Sequence, residues 1–347
     1  MHALVYAGPG VKEWTEVPDP SLSADTDAIV RVDAVTLCGT DLHILTGDVP
    51  TVTPGRILGH EAVGTVLATG SAVQSVTAGD RVLVSCITSC GTCHYCRLQR
   101  YGQCLGGGGW VLGNTVDGTQ AEVVRVPFAD RSTHLAPTGV SDEHLLMLAD
   151  ILPTAYEVGV LNGRLRTGGV IAIVGAGPIG LAAVLAARLI SPSLVVAIDT
   201  DPGRLQLAKA FGADVVIDNG HEDAVDVVRG LTDGLGADVA VEAVGVEATF
   251  TLATTLVRPG GTVANVGVHG APATLHLEQL WSRDITLTTG LVDTSSTAML
   301  MTLMKAGVLD ASRFITHRFD LGDMLEAYDV FGNARASHAL KVVLTRS

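Results

Sequence analysis

Positive charge is in short supply in this sequence. Lys and Arg number 22 against 36 Asp and Glu, a formal net charge of −14 over 347 residues. No basic stripe interrupts that balance, which argues against nucleic acid or an anionic membrane as partner. The sequence also lacks an uncharged apolar run of about 18 residues, the length a bilayer span needs. Its opening, Met1-His2-Ala3-Leu4-Val5-Tyr6, has no basic region followed by a long apolar one, so no signal peptide is expected there. Aromatic residues make up only 4%, whereas glycine occurs 40 times, as in α/β proteins with many tight turns. Cysteine is confined: all six lie between Cys38 and Cys104. In a chain of this length a tight cysteine cluster reads as a metal site in a reducing cytoplasm rather than as a disulfide framework.

The strongest pattern lies between Gly168 and Arg204. A β-branched run, Val170-Ile171-Ala172-Ile173-Val174, meets the turn Gly175-Ala176-Gly177-Pro178-Ile179-Gly180. A helical segment over 181–190 and a second strand over 194–198 follow, ending on Asp199, which lies 19 residues past Gly180. Strand, G-x-G-x-x-G turn, helix, strand and acid together are the dinucleotide-binding fingerprint. The glycines allow a tight turn and close backbone approach to a pyrophosphate. The helix N-terminus offers free N–H groups to it, and Asp199 is placed to hold the adenine-ribose hydroxyls.

Texture divides the chain. Residues 1 to about 35, and again Gly59 to Val84, read as short strands separated by turns, the clearest over Ala28–Val35, an antiparallel, β-rich N-terminal half. Ser141 reads as a helix N-cap. From about Thr154, strands predicted over 170–174, 194–198, 214–217, 238–242, 262–266 and 285–289 alternate with helical segments such as Pro202–Phe211 and Glu247–Val257. Such β-α alternation predicts a doubly wound parallel sheet covered on both faces. Later helices are expected near 294–306 and 321–331, and a last strand over 340–344.

Cys90-x2-Cys93-x2-Cys96-x7-Cys104 can close a tetrahedron around Zn²⁺ with no open position, a structural site. Cys86 is left over and reads as a small buried filler. Two further fragments, Cys38-Gly39-Thr40-Asp41-Leu42-His43 and Gly59-His60-Glu61, are weak when taken singly, since a lone Cys or His is usually a core or surface residue.

Together, and in this order with the four-cysteine lobe and the Gly175 turn, these fragments make the chain resemble the zinc-dependent medium-chain alcohol dehydrogenases over essentially its whole length. The resemblance implies a GroES-like, β-rich catalytic domain (1–153 and 293–347) and a Rossmann cofactor domain (154–292), with zinc and nicotinamide in the cleft between them. It implies Cys38, His60 and Asp150 as catalytic zinc ligands, Asp150 following the bacterial secondary-alcohol branch, and Glu61 as a neighbour or alternate ligand. It gives Thr40 and His43 a proton relay through the cofactor ribose, and spacing permits this if both lie on one helical turn. Asp41 is a candidate to accept a hydrogen bond from His60, the alternative being a helix N-cap or surface acid. Trp110 resembles a pocket wall, with core packing as the alternative. Thr154 and Leu291 are candidates for the nicotinamide and substrate walls. Arg204 matches a basic residue beside the adenine ribose, and Lys341 one near the pyrophosphate; alone, Lys341 reads as a solvated strand-end lysine.

The expectation is thus an oxidoreductase with two Zn²⁺ and NAD, acting on small secondary alcohols and ketones as a cytoplasmic homotetramer or dimer. A polyol or L-threonine dehydrogenase, and a non-catalytic protein that binds NAD and zinc, are the alternatives.

Overall fold

A computed structural model describes residues 1–346. Two compact units divide it, one built from Met1–Asp150 and Val292 onward, the other from Ile151–Leu291.

In the second unit six strands form one parallel sheet. In spatial order they are Val215–Asp218, Leu194–Asp199, Val170–Val174, Ala237–Glu242, Val257–Asn265 and Thr286–Thr289. From Val170–Val174 the chain builds outward on one side, then returns to build on the other. The order therefore reverses between Val170–Val174 and Ala237–Glu242, the place where doubly wound sheets bind ligands beyond the strands' carboxyl ends. The strands are runs of Val, Ile and Ala because helices cover both faces. Ala172, Val196, Ile198, Ala240 and Val263 are at most 1% exposed, and burying a side chain of the Val or Ile size contributes about 1.5–3 kcal/mol. Helix Pro178–Arg188 begins three residues before the expected 181, because proline at the first helical position needs no hydrogen-bond partner for its nitrogen. Asp201 caps helix Pro202–Phe211 through the N–H groups of Gly203 and Arg204.

The first unit is the β-rich half that the turn spacing predicts, antiparallel except where Ile315–Asp320 pairs with Lys341–Thr345 in parallel. Its main sheet runs Ile315–Asp320, Lys341–Thr345, Ala28–Thr36, Ala62–Thr69, Arg81–Val84 and Thr133–Leu135, with Val123–Val126 also pairing onto Ala28–Thr36. A smaller sheet places His2–Gly8 between Val11–Glu16 and Arg56–Ile57. Ser141 caps its helix by accepting from the His144 N–H. Cys86 is buried at 3% exposure, as expected of a filler.

Register matters here more than layering. Val35 faces Ala62, Ala62 faces Val84, and Val343 faces Thr36. The end of Ala28–Thr36, the start of Ala62–Thr69, the end of Arg81–Val84 and the start of Lys341–Thr345 therefore meet on one side of the sheet. Residues just outside these strands, Leu37 and Cys38, His60 and Glu61, Ser85 and Cys86, and the first residue Lys341, are gathered there. The Cys86 N–H donates to the Ala149 carbonyl at 3.1 Å, which brings Asp150 to the same place.

One stretch, Asp142–Leu161, is long and apolar enough to cross a membrane by length and composition. It carries Asp142, Glu143, Asp150 and Glu157, and 72% of its most apolar window is buried inside the fold.

Candidate metal centres and cofactor turn

Cys38, His60, Glu61 and Asp150 each offer a donor atom, and these atoms lie within 4.8 Å of one another. The Cys38 Sγ is 3.6 Å from Asp150 Oδ2, and His60 Nε2 is 3.3 Å from the same oxygen. Thiolate, imidazole and carboxylate are the ligand types of a catalytic zinc site that keeps a position open. Burial is the first influence on the titration of Cys38, His60 and Glu61. It pushes the Cys38 thiol up, and the neighbouring Asp150 carboxylate pushes it further. A divalent cation among these donors reverses that trend by holding the thiolate directly.

A metal-bound imidazole gives its other nitrogen's proton to an acceptor, and here the geometry is half made. His60 Nδ1 and Asp41 Oδ1 are both buried without a hydrogen-bond partner and face each other at 3.9 Å. The expected direct bond between Asp41 and His60 is therefore not formed. Asp41 is neither a surface acid nor the N-cap. It sits at the third position of helix Gly39–Thr46, whose N-cap is Cys38, and its Oδ2 accepts from the Cys38 N–H and from the Gln120 amide, each at 2.9 Å. These contacts hold the backbone of Cys38 and leave Oδ1 turned toward His60. The orphaned pair and the mixed sulfur, nitrogen and oxygen donors fit a zinc ion.

Lys341 departs from expectation. Its ammonium is not solvated, and the bonds it makes run to protein oxygens. It is 2% exposed and bonds to both Glu61 carboxylate oxygens, at 2.8 and 3.1 Å, and to the Leu37 carbonyl at 3.0 Å. The reason is topological, since its strand lies beside Ala28–Thr36 and starts where Glu61 and Leu37 are gathered. Burial pushes the Glu61 carboxyl up to about 7 against the pull of Lys341. Glu61 is thus a neighbour of the other three donors with both oxygens engaged. Trp110 stands next to them, its ring edge-on to His60 with centroids 6.1 Å apart and its indole N–H buried without a partner. It also packs on the core, as the alternative reading of Trp110 expects. Sequence patterns gave no sign of Gln120 or Tyr328. The Tyr328 hydroxyl donates to the Gln120 oxygen at 2.8 Å and so fixes the amide that holds Asp41.

Thr40 and His43 share helix Gly39–Thr46, three residues apart, and His43 Nδ1 is 2.9 Å from Asp48 Oδ2.

Cys90, Cys93, Cys96 and Cys104 form the second donor group, also within 4.8 Å, and carry thiols rather than disulfides. Backbone N–H groups point at the sulfurs: Cys90 and Gly106 to Cys104, and Leu105 to Cys93, each at 3.4 Å. Against the cost of burial, the N–H groups of Thr92 and Cys93 bring the Cys90 thiol down to about 6. Burial and its neighbours push Cys96 up to about 12. Four thiols this close ionise together only around a cation. The set offers four sulfur ligands and fits a closed tetrahedral zinc site.

In the second unit, the glycine turn, Asp199 and Arg204 lie together beyond the carboxyl ends of Val170–Val174 and Leu194–Asp199. Gly175 has φ 98°, and a Cβ on Gly180 would lie 1.8 Å from the Gly175 carbonyl oxygen, so helix and turn approach as only glycine allows. Gly177 caps the helix ahead of Pro178 and Ile179, and a Cβ there would meet nothing nearer than an Arg204 guanidinium nitrogen at 4.0 Å. That open approach beside a cation fits a pyrophosphate. Asp199 Oδ2 accepts from the Ala176 N–H at 2.6 Å, while Oδ1 accepts from Thr200 and Asp201 N–H groups. The acid therefore ties the second strand to the glycine turn. Thr154 ends helix Ile151–Thr154, half-buried, and Leu291 is 42% exposed at the unit's end.

Comparison with known proteins agrees with this geometry. Residues 24–137 match the alcohol dehydrogenase GroES-like domain, and residues 178–305 match the zinc-binding dehydrogenase domain. An alcohol dehydrogenase of Cupriavidus necator is 37% identical over 354 residues, covering 96% of both chains. The chain belongs to the zinc-binding alcohol dehydrogenase family. It is an oxidoreductase, with the α/β architecture of a GroES-like and a Rossmann-like domain. Zinc dependent alcohol dehydrogenase 2 from Streptococcus pneumonia, solved in its apo form, superposes with a TM-score of 0.96 at 43% identity, covering 100% of this chain and 99% of that one. An L-threonine 3-dehydrogenase of Symbiobacterium thermophilum is 33% identical over 358 residues, covering 99% of this chain and 97% of its own.

Proposed function

We propose that this alcohol dehydrogenase uses NAD and a zinc ion held by Cys38, His60 and Asp150 to interconvert small secondary alcohols and ketones. The observation that carries the reading is the convergence of these three donors beside an orphaned His60 Nδ1. Cys38 thiolate and Asp150 carboxylate together balance a doubly charged ion, and the Glu61–Lys341 pair is neutral in itself. Zinc, when bound, supplies a Lewis acid that polarises an alcohol or ketone oxygen, and NAD supplies the hydride acceptor. The remaining steps belong to the chain. Asp41 holds Cys38 and faces His60, and Gln120 holds Asp41. Trp110 excludes water beside the donors. Thr40 and His43 carry the alcohol proton outward along their shared helix. Cys90, Cys93, Cys96 and Cys104 hold a second zinc with a structural role.

Cofactor choice rests on Asp199. A carboxylate at this strand end accepts the ribose hydroxyls of NAD, whereas NADP brings a phosphate of about −1.5 to −2 charges to it. Asp201 adds acid to the same turn although its carboxylate is occupied as a helix cap. A preference for NAD of roughly a hundredfold, about 2.7 kcal/mol, is expected. The deciding experiment is kcat/KM with 2-propanol, sorbitol and L-threonine, using NAD and NADP, on the parent and on Asp199→Gly. The proposal requires 2-propanol to be the best substrate and Asp199→Gly to erase most of the cofactor preference. Faster turnover of L-threonine would favour the second reading, which the 33% identical L-threonine 3-dehydrogenase motivates.

We further assign a homo-oligomer, dimer or tetramer, working in the cytoplasm. Two features support it. Thr286–Thr289 is the outer strand of its sheet, and Trp281, Leu277 and Leu287 near it are 79%, 62% and 39% exposed. An open strand edge next to apolar side chains suits pairing with a second copy across a two-fold axis. The cysteine-based metal sites suit a reducing compartment. Trp281→Asp should lower the mass measured by light scattering; an unchanged mass would remove this face from the interface.

A further inference from the structure

The helix that begins at Cys38 ends in a device that the relay through Thr40 and His43 does not account for. Gly47 follows Thr46 with φ 87°, the left-handed conformation that terminates helices. Its N–H donates to the Ile44 carbonyl at 3.0 Å, and the Asp48 N–H donates to the His43 carbonyl at 2.9 Å. The turn therefore folds Asp48 back over the last helical turn, backbone against backbone with His43. The side chains meet as well: Asp48 Oδ2 lies 2.9 Å from His43 Nδ1 and accepts from the Thr46 hydroxyl at 2.8 Å. The segment is anchored from outside by the Gly10 N–H, which donates to the Leu45 carbonyl at 2.7 Å. Along eleven residues the chain thus passes from a thiol in the donor cluster, through a hydroxyl and an imidazole, to a carboxylate at the surface. The His43 and Asp48 side chains are 33% and 37% exposed.

A carboxylate only accepts hydrogen bonds, so in neutral His43 the proton sits on Nδ1 and the lone pair on Nε2. The bonds from His43 and Thr46 hold the Asp48 carboxyl below its ordinary range, so it stays ionised at neutral pH. Among the described residues, no other charged group is paired with either side chain.

We propose that Asp48 is a positioning residue for proton release: it fixes His43 as the Nδ1–H tautomer, keeps Nε2 free to take the alcohol proton, and pairs the imidazolium that results. The step moves one proton. The alcohol O–H bond breaks, an N–H bond forms at Nε2, and the imidazolium, held against Asp48 at the surface, returns a proton to water. The O–H electron pair stays on oxygen and becomes the second carbon–oxygen bond as the carbinol C–H bond breaks, and the C–H pair leaves with the hydride to NAD, as in the established oxidoreductase activity. This inference rests on the proposed relay, and the experiment separates the two.

The full-length protein, labelled with ¹⁵N-histidine, is measured by NMR as parent, Asp48→Ala and Asp48→Glu, with His43→Ala identifying the resonances. The parent should show His43 as the Nδ1–H tautomer, and Asp48→Ala should lose that preference. In alcohol oxidation below neutral pH, Asp48→Ala should lower kcat about tenfold, less than the roughly 100- to 10,000-fold that a general acid–base group contributes itself, because Asp48 acts through His43. It should leave KM for NAD and zinc content unchanged. Added imidazole should restore part of the rate, and Asp48→Glu should retain most of it. A parent His43 in the Nε2–H form overturns the proposal. So does an Asp48→Ala pH–rate profile that matches the parent while His43→Ala is slowed and rescued by imidazole; in that case the relay stands without Asp48. If His43→Ala is itself not slowed, the relay reading fails and takes this proposal with it.

Discussion

Cys38→Ser is expected to leave a folded protein whose turnover falls about a thousandfold, while Cys93→Ser is expected to yield a protein that unfolds early and carries one zinc. The contrast follows from where each sulfur sits. Cys38 belongs to a donor group built at the ends of strands that are already held by a core in which Leu37, Val35, Ala62, Val84 and Val342 are fully buried. Removing one ligand there changes little of what keeps the strands together. It does weaken a Lewis acid worth several kcal/mol to the transition state, and about 1.4 kcal/mol accounts for each tenfold loss in rate. Cys93 lies in a lobe of another kind. Between Cys90 and Cys104 only Cys96 is a buried apolar side chain, while Leu98 and Leu105 are 59% and 70% exposed. A segment that buries so little has only its four sulfurs to order it, so metal binding and local folding are one event. Metal analysis and thermal unfolding of both variants provide the check. A Cys93→Ser protein as stable as the parent would sink the structural role of the lobe, and a fully active Cys38→Ser protein would sink the catalytic role of the other site.

Much of this was legible in the sequence for simple reasons. The strand Val170–Val174 has the bounds that its β-branched run and the glycine after it predict, and helix Pro202–Phe211 begins and ends where a proline and a glycine dictate. The strand Val257–Asn265 starts five residues before the expected 262. Pro259-Gly260-Gly261 reads as a turn, and the irregular register at Ala237 to Val239 shows the sheet accommodating it. The four-cysteine lobe was legible because its ligands fall within fifteen residues. Asp150 was not, except by resemblance, since a single acid before an apolar helix has no periodic signature. Asp41 was misjudged because its bonds run to Cys38, three residues away, and to Gln120, which no local rule pairs with it. Gly47 was available as a helix stop, yet the pairing of Asp48 with His43 needs the left-handed turn to be seen.

Lys341 shows the limit most clearly, and it carries the second large expectation: Lys341→Met should destabilise the protein by roughly 3–5 kcal/mol, the usual penalty for stranding one member of a buried ion pair. Glu61 and Lys341 are 280 residues apart in sequence, so nothing near either one announces the other. In the fold both are nearly inaccessible, at 1% and 2% exposure. Methionine fills the lysine stem's volume without its charge, so the loss isolates the ammonium. Glu61 would then keep a carboxylate whose burial already pushes it up to about 7 with Lys341 present. The double variant Lys341→Met with Glu61→Gln removes the stranded charge and should recover most of the lost stability, because replacing both partners of a buried pair is often near neutral. The freed carboxylate has one other electropositive partner within reach. Glu61 lies within 4.8 Å of the Cys38, His60 and Asp150 donors, so in the zinc-loaded single variant it can turn to the ion, which softens the stability loss and occupies the position an alcohol needs. Denaturant unfolding is therefore measured on metal-loaded and metal-stripped protein, with turnover on the loaded form. The single variant should be least stable when stripped, and slow when loaded, with the double variant recovering in both assays. A single variant as stable as the parent in both forms would mean that Lys341 and Glu61 are not the mutually dependent buried pair their 2.8 Å contact describes.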